Sequence, residues 1–408
     1  MLEPFRIRDF ALLWTGATTS LVGDFIFLVA YPWQTFQLTN DPAALGWISA
    51  AYFAPAVVFL TAGGVLSDRV ERRHMMIAAD VMRGTATAVG GVLAITNQLT
   101  LWELGVIVGV GGFGQALFGP AFGSIVPEIV PRELLAQANS LDQFVRTAAG
   151  LVGPAIGGIV IAVSSAGVAF LIDAGTFAVS TVTALLLTSR PMTREQHHSV
   201  LHDVRAGWGY VRVRTWLWAT FAAAALMNIA SSTRNVLLPF VIKNDLHASA
   251  RGLGFVYSAA SAGALISAFA YGQRGVPPRP IVVAYLGWAL SLFMIAAYGL
   301  GTTVGQLVLF GFIGGLGLSF GQAIWGTLMH QLVPRHVLGR VTSIDWMTSL
   351  SLMPLAAAVA GLVARTLGAR ETLVAAGLLS GGVTVLFLLA SPALRRTELE
   401  PAGEPTQP

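Results

Sequence analysis

The chain has 408 residues, of which 55% are hydrophobic and 11% charged, and its mean hydropathy is +0.70. A water-soluble domain carries roughly a quarter charged residues, so a soluble enzyme or binding module is excluded. The net charge of +4 sits in loops between apolar runs rather than on one face, which argues against nucleic acid as a partner, and the absence of cysteine removes disulfides, thiol chemistry and cysteine-ligated metals.

Twelve apolar segments follow in chain order, at 10–33, 44–66, 75–96, 102–124, 138–163, 167–188, 215–242, 252–272, 281–300, 304–330, 341–364 and 371–391. Each can cover a hydrocarbon core of about 30 Å at 1.5 Å per residue. Met1 to Asp9 is short and polar and lacks the form of a cleaved leader, so the first span is expected to be retained. Within it, Asp24 stands mid-span with no cation inside four residues. A charge inside a span is costly and is a functional candidate by default. Burial disfavours the charged form of a carboxylate, which suits a group that takes and releases a proton.

Between spans 2 and 3 stands Gly63-Gly64-Val65-Leu66-Ser67-Asp68-Arg69-Val70-Glu71-Arg72-Arg73. A short basic loop belongs on the cytoplasmic side, and an even number of spans then places both termini there. Eighteen of the 24 lysines and arginines fall on that side, counting Arg83 at the start of span 3. Four fall on the other (Lys243, Arg251, Arg365, Arg370), and Arg146 and Arg234 lie within spans. Asp80 and Arg83 are expected to pair locally or to brace the loop between spans 2 and 3, and Glu128 is the expected partner of Arg72 or Arg73.

Span 5 joins Gly153-Pro154 to Gly157-Gly158, which gives a bendable, closely packed helix. Arg146 follows Asp142 at the i, i+4 spacing of a helical salt bridge. Asp173 is expected to face the headgroup zone. Ser189 to Val213 is the longest polar interruption. Its adjacent His197 and His198 have neither a helical partner nor a cysteine, so a solvated linker is expected rather than a metal site. Asp203 to Arg214 has the pattern of an amphipathic helix on the membrane surface. The tail after Arg396 is rich in proline and glutamate and is expected to be disordered.

The halves repeat each other. Val130-Pro131-Arg132-Glu133-Leu134-Leu135-Ala136-Gln137-Ala138-Asn139-Ser140-Leu141-Asp142 aligns with residues 333–345, with six of 13 positions identical at an offset of 203. Asp142 and its repeat partner Asp345 are expected to be structural. The predicted fold class is therefore an all-α integral membrane protein of twelve helices in two pseudo-symmetric six-helix halves. The first half covers 1–188 and the second 215–396, with a linker at 189–214 and a tail at 397–408.

The loop between spans 2 and 3 resembles the signature of the major facilitator superfamily. Gly64, Leu66, Ser67, Asp68, Arg69, Arg72 and Arg73 match its pattern, and Glu71 stands where glycine is usual. The resemblance implies that this loop, with Glu128, latches one side of the molecule. It also implies that spans 1 and 7 line a central cavity, where Arg234 is the candidate partner of Asp24 and Asn228 adds a polar contact near the symmetric position. Trp33, Phe53, Phe113, Phe118, Trp325 and Trp346 are candidates for an apolar lining. Gly153, Pro154, Gly157 and Gly158 resemble the helix-5 motif of the superfamily's drug:proton antiporters. Span 4, however, lacks the arginine that many of these carry. The string from Phe10 to Pro42 instead is similar to the branch that contains macrolide efflux proteins and the enterobactin exporter.

That resemblance implies proton-coupled efflux of an apolar or amphipathic small molecule by a bacterial inner-membrane antiporter. Asp24, Arg234, Asn228 and Arg146 are the proton or substrate candidates. The expected partners are the substrate, protons and membrane lipids, in a monomer. No catalytic cluster, cofactor or metal is expected, and no Gly-x-x-x-x-Gly-Lys loop offers direct use of ATP. A nutrient:proton symporter and a lysolipid transporter are the alternatives.

Overall fold

The computed structural model describes residues 3–67, 71–188, 208–391 and 394. Its long helices follow the apolar runs: α1 Arg8–Leu38, α2 Pro42–Ser67, α3 Arg72–Ile95, α4 Leu101–Ile129, α5 Leu135–Val163 and α6 Ala166–Leu185 in the first half. The second half has α7 Thr215–Phe240, α8 Ala250–Arg274, α9 Pro280–Leu300, α10 Val304–Leu332, α11 Arg335–Leu350, α12 Met353–Leu367 and α13 Ala369–Ala390. Ten spans among the described residues are long and apolar enough to cross a membrane, with α11 and α12 counted within one of them. That span breaks at Ser351-Leu352 because Pro354 lacks an N–H and its ring clashes with the preceding turn. The α2 and α3 helices, of 26 and 24 residues, run between these spans and agree with a total of twelve. The linker expected at 189–214 falls mostly, and the tail at 397–408 wholly, outside the described residues.

The internal repeat is structural. Pro131 and Pro334 hold nearly the same conformation just before the helical segments that follow α4 and α10, with φ −55° and −58°. A second pair of devices obeys the same offset. Thr100 caps α4, its N–H donating to Glu103 Oε2 at 2.8 Å, and Thr303 caps α10, its N–H donating to Gln306 Oε1 at 3.3 Å. Both are capping boxes, in which side chain and backbone satisfy each other's free groups at a helix start. Gly112 and Gly315, again 203 apart, let α4 and α10 touch the backbones of Tyr52 and Ala260. Small residues at crossings are how membrane helices gain contact without a hydrophobic drive.

The two halves meet at the end away from the termini. There α5 packs on α8 and α2 on α12. A Cβ at Gly158 would stand 2.6 Å from the Ala250 carbonyl oxygen, and one at Gly46 equally close to that of Ala357. Arg365 pairs with Asp41, and Lys243 donates to the Phe36 carbonyl, so polar contacts also cross between the halves. Towards the termini, Asp142 and Arg146 of α5 are partly exposed.

Gly158→Val is expected to wedge this seam open at a cost of about 1–3 kcal/mol. Spin labels at exposed Gln98 and Leu300, in the two halves at that end, should move apart in the variant. An unchanged distance would show that the seam does not hold the halves together. The hydrogen bond from Arg365 holds the Asp41 carboxyl below its usual range. A lowered carboxylate stabilises above its ordinary value and loses that contribution as pH falls through the lowered one. The same labels should therefore read alike at pH 7.5 and pH 5, whereas Arg365→Gln should favour the open end by about fivefold at most, as befits an exposed pair.

Candidate proton and substrate site

The buried charges converge on Arg83. In α3, Met76, Ala79, Asp80, Arg83, Thr87 and Gly90 recur at helical spacing and are all buried, so the charged pair points into the bundle. Arg83 lies eleven residues into the helix, roughly 16 Å from its start at 1.5 Å per residue. At that depth an arginine neither reaches the headgroups nor sheds its proton. Four helices supply what it needs. Nη2 donates to Asp80 Oδ1 at 2.6 Å, and Nη1 donates to Gln115 Oε1 of α4 at 2.9 Å and reaches both oxygens of Asp24 in α1 at 3.5 Å. The rings of Phe177 and Phe118 lie 4.3 and 5.0 Å from the guanidinium carbon. Ser180 of α6 donates to the other oxygen of Asp80 at 2.6 Å.

The three groups differ in access. The side chains of Asp80 and Arg83 are 0% and 2% exposed, and that of Asp24 is 30%. Asp24 lines a cavity of about 100 Å³ with Trp14, Gln115, Phe118, Asp142 and Arg146. A third carboxylate, Asp173 of α6, is 1% exposed and its Oδ1 has no hydrogen-bond partner. It abuts Gly23, where a Cβ would stand 2.5 Å from that oxygen. One arginine thus serves three neighbouring acids.

Several expectations change. Arg83 does not begin span 3 at the membrane face; it is buried, because acids and rings from other helices offset its cost. Asp173 does not face the headgroups; it is packed against α1. Asp24 does not pair with Arg234; it bonds Arg83 and faces Arg146. Arg234 instead donates to Asn235 Oδ1 at 3.3 and 3.0 Å, and Asn228 donates to the Ala224 carbonyl of its own helix at 2.9 Å. Arg146 bonds Asp142 at 2.9 Å, as its spacing implies. Asp345 accepts from Trp325 Nε1 at 3.0 Å, so this acid does brace α11 against α10. Trp346 is exposed, whereas Phe118 lines the Asp24 cavity.

Of the loop residues, Gly64 lies in α2, and Asp68 and Arg69 fall outside the described residues. Arg72 pairs with Glu128, and Arg73 donates to the Ala184 and Leu185 carbonyls at 3.0 and 2.6 Å, tying α3 to α4 and α6. In span 5, Gly153 lies against Phe25 of α1, Gly157 against Ile26, and Pro154 presents its carbonyl to Gly254 of α8. This stretch is the hub between the halves.

Similarity to known proteins agrees with this architecture. The profile of the transmembrane secretion effector family, MFS_3, matches residues 1–407. Macrolide efflux protein A of Streptococcus pyogenes is 23% identical over 398 residues, covering 94% of this chain and 95% of its own. An enterobactin exporter of Escherichia coli is 28% identical, covering 91% and 89%. Two solved structures share the fold: a POT family transporter in complex with 5-aminolevulinic acid, with a TM-score of 0.75, 15% identity and coverage of 95% and 96%, and a bacterial homologue of the iron transporter ferroportin in an inward-facing state, with 0.68, 16% and coverage of 93% and 98%. The chain belongs to the transmembrane secretion effector family of the major facilitator fold, and is a multi-pass membrane transporter of the efflux type rather than an enzyme.

Proposed function

We propose that the protein exports apolar or amphipathic small molecules from a bacterial cell in exchange for protons, acting as an inner-membrane monomer with both termini in the cytoplasm. Residues 1–188 and 215–396 are the two rocking halves, joined by 189–214 and followed by the tail at 397–408. The observation that carries the coupling is the ratio of three carboxylates to one arginine at Asp24, Asp80, Asp173 and Arg83. Two uncompensated charges in a low-dielectric site are expensive, so the cluster binds protons. Asp24 is its cavity-facing member and exchanges the proton. When protonated it releases Arg83 to Asp80 and Gln115; when ionised it draws on Arg83 again. The seam closed away from the termini supports an inward-facing state, in which Asp24 meets substrate from the cytoplasm.

The test is accumulation of three fluorescent probes in cells: a lipophilic cation, a labelled macrolide and the anion dansyl-phenylalanine. Lower accumulation of any one, reversed by a protonophore, supports the reading. Accumulation of all three at the level of cells lacking the protein, with the protein present in the membrane, rejects it.

A further inference from the structure

The second half carries a cation that the proton cluster does not use. Arg234 of α7 lines a cavity of about 340 Å³ with Ser261, Ser291, Tyr298, Ser319 and Gln322. That volume lies within the range of small-molecule sites. The lining contains no aspartate or glutamate. Among the described residues, the guanidinium's hydrogen bonds go only to Asn235 Oδ1, a neutral amide on the same helix. The contrast with the other cations within the spans is direct: buried Arg83 pairs with two acids, and the partly exposed Arg146 with one.

Arginine holds its charge at any accessible pH, so it cannot escape an unpaired site by losing a proton. Its planar fork matches a carboxylate or a pair of phenolate oxygens. The hydroxyl and amide groups of Ser261, Ser291, Tyr298 and Gln322 add hydrogen-bonding capacity around it. Met294, Ile295 and Leu318 add an apolar wall. The cavity also reaches the seam between the halves. Ser261 lies against Gly150 of α5, one turn from Arg146, which lines the Asp24 cavity.

We infer that Arg234 is the recognition residue for an acidic group, and that the preferred substrates are amphipathic molecules bearing a carboxylate or an ionised phenol. This rests on the export reading for its biological meaning, but not for its test. An acid in the Arg234 cavity and a proton on Asp24 then occupy opposite halves, so one ligand can be bound without displacing the other by direct competition.

The test is equilibrium binding to the full-length protein in lipid nanodiscs. The probes are dansyl-phenylalanine and its methyl ester, which differ by one charge. The wild type should bind the acid at least about tenfold more tightly, the scale of one charge-assisted hydrogen bond. Arg234→Gln should abolish the preference while leaving ester binding unchanged, and Arg234→Lys should retain part of it. Asp24→Asn should keep the full preference. A wild type that binds both probes equally, or neither, overturns the inference, as does an Arg234→Gln protein that still prefers the acid. Binding needs no gradient, so a preference for the acid in a protein that exports none of the cell probes would sink the export reading alone. Export without that preference would sink this one alone.

Discussion

Asp24→Asn is expected to abolish uphill export while leaving the protein able to equilibrate its substrate. In proteoliposomes with an imposed pH gradient, accumulation against a concentration gradient should fall to the level of empty vesicles. Downhill flux should persist, reduced by no more than about tenfold to a hundredfold, because the change removes at most one charge-assisted contact of roughly 1.5–3 kcal/mol. The reason lies in the geometry. Asp24 sits at the limit of hydrogen-bond distance from Arg83, at 3.5 Å, while Asp80 is bound at 2.6 Å. Arg83 therefore has a settled partner and a contingent one. Only the contingent one reaches the cavity. An amide at position 24 keeps the shape and fixes the protonated state, so the halves rock with no proton to return. Full uphill export by Asp24→Asn would remove this residue from the coupling step.

The second large effect is on stability. Arg83→Gln leaves Asp80 and Asp173, both sealed from solvent, without a cation, and leaves Asp24 only the more distant Arg146. Breaking a buried pair from one side costs about 3–5 kcal/mol, because the remaining charge is uncompensated. The variant should show a markedly lower Tm in detergent and poor yield as a monodisperse peak. Asp80→Asn together with Arg83→Gln should recover most of the loss, since both charges then leave and Ser180 can still bond the amide. If the double variant is no better than the single one, the coupling between the two residues is not what stabilises the site. Asp80→Asn alone should be milder than Arg83→Gln, because Asp24 remains to balance the arginine.

The spans were legible because a membrane helix announces itself by length and hydropathy alone, and the borders at 215–242 and 304–330 differ little from α7 and α10. The repeat at an offset of 203 was legible too. Its further marks, Thr100 with Thr303 and Gly112 with Gly315, were readable only once the structure showed which residues share a task. The tie between Arg72 and Glu128 followed from their places at adjoining span ends. Hydropathy alone puts Arg83 at the membrane face, because it pushes any charge to the nearest one. A signal was nonetheless present: Asp80 and Arg83 fall on the same helical stripe as Met76 and Thr87, which no headgroup-facing pair would do. The meeting of Asp24 with Arg83, and of Asp173 with Gly23, depends on how α1, α3 and α6 cross. No single-span pattern contains that information. That Arg234 meets no acid among the described residues follows from the same fact, since Asp24, its candidate partner in sequence, is taken by Arg83.

Exchange of protons for substrate shows itself as a change in the pH of a closed lumen. Proteoliposomes would be loaded with pyranine and with whichever probe cells export, then diluted into probe-free buffer at equal pH. The lumen should acidify as the probe leaves wild-type vesicles, and Asp24→Asn should release the probe with no pH change. Probe efflux from wild-type vesicles at constant luminal pH, or with alkalinisation, would contradict proton antiport.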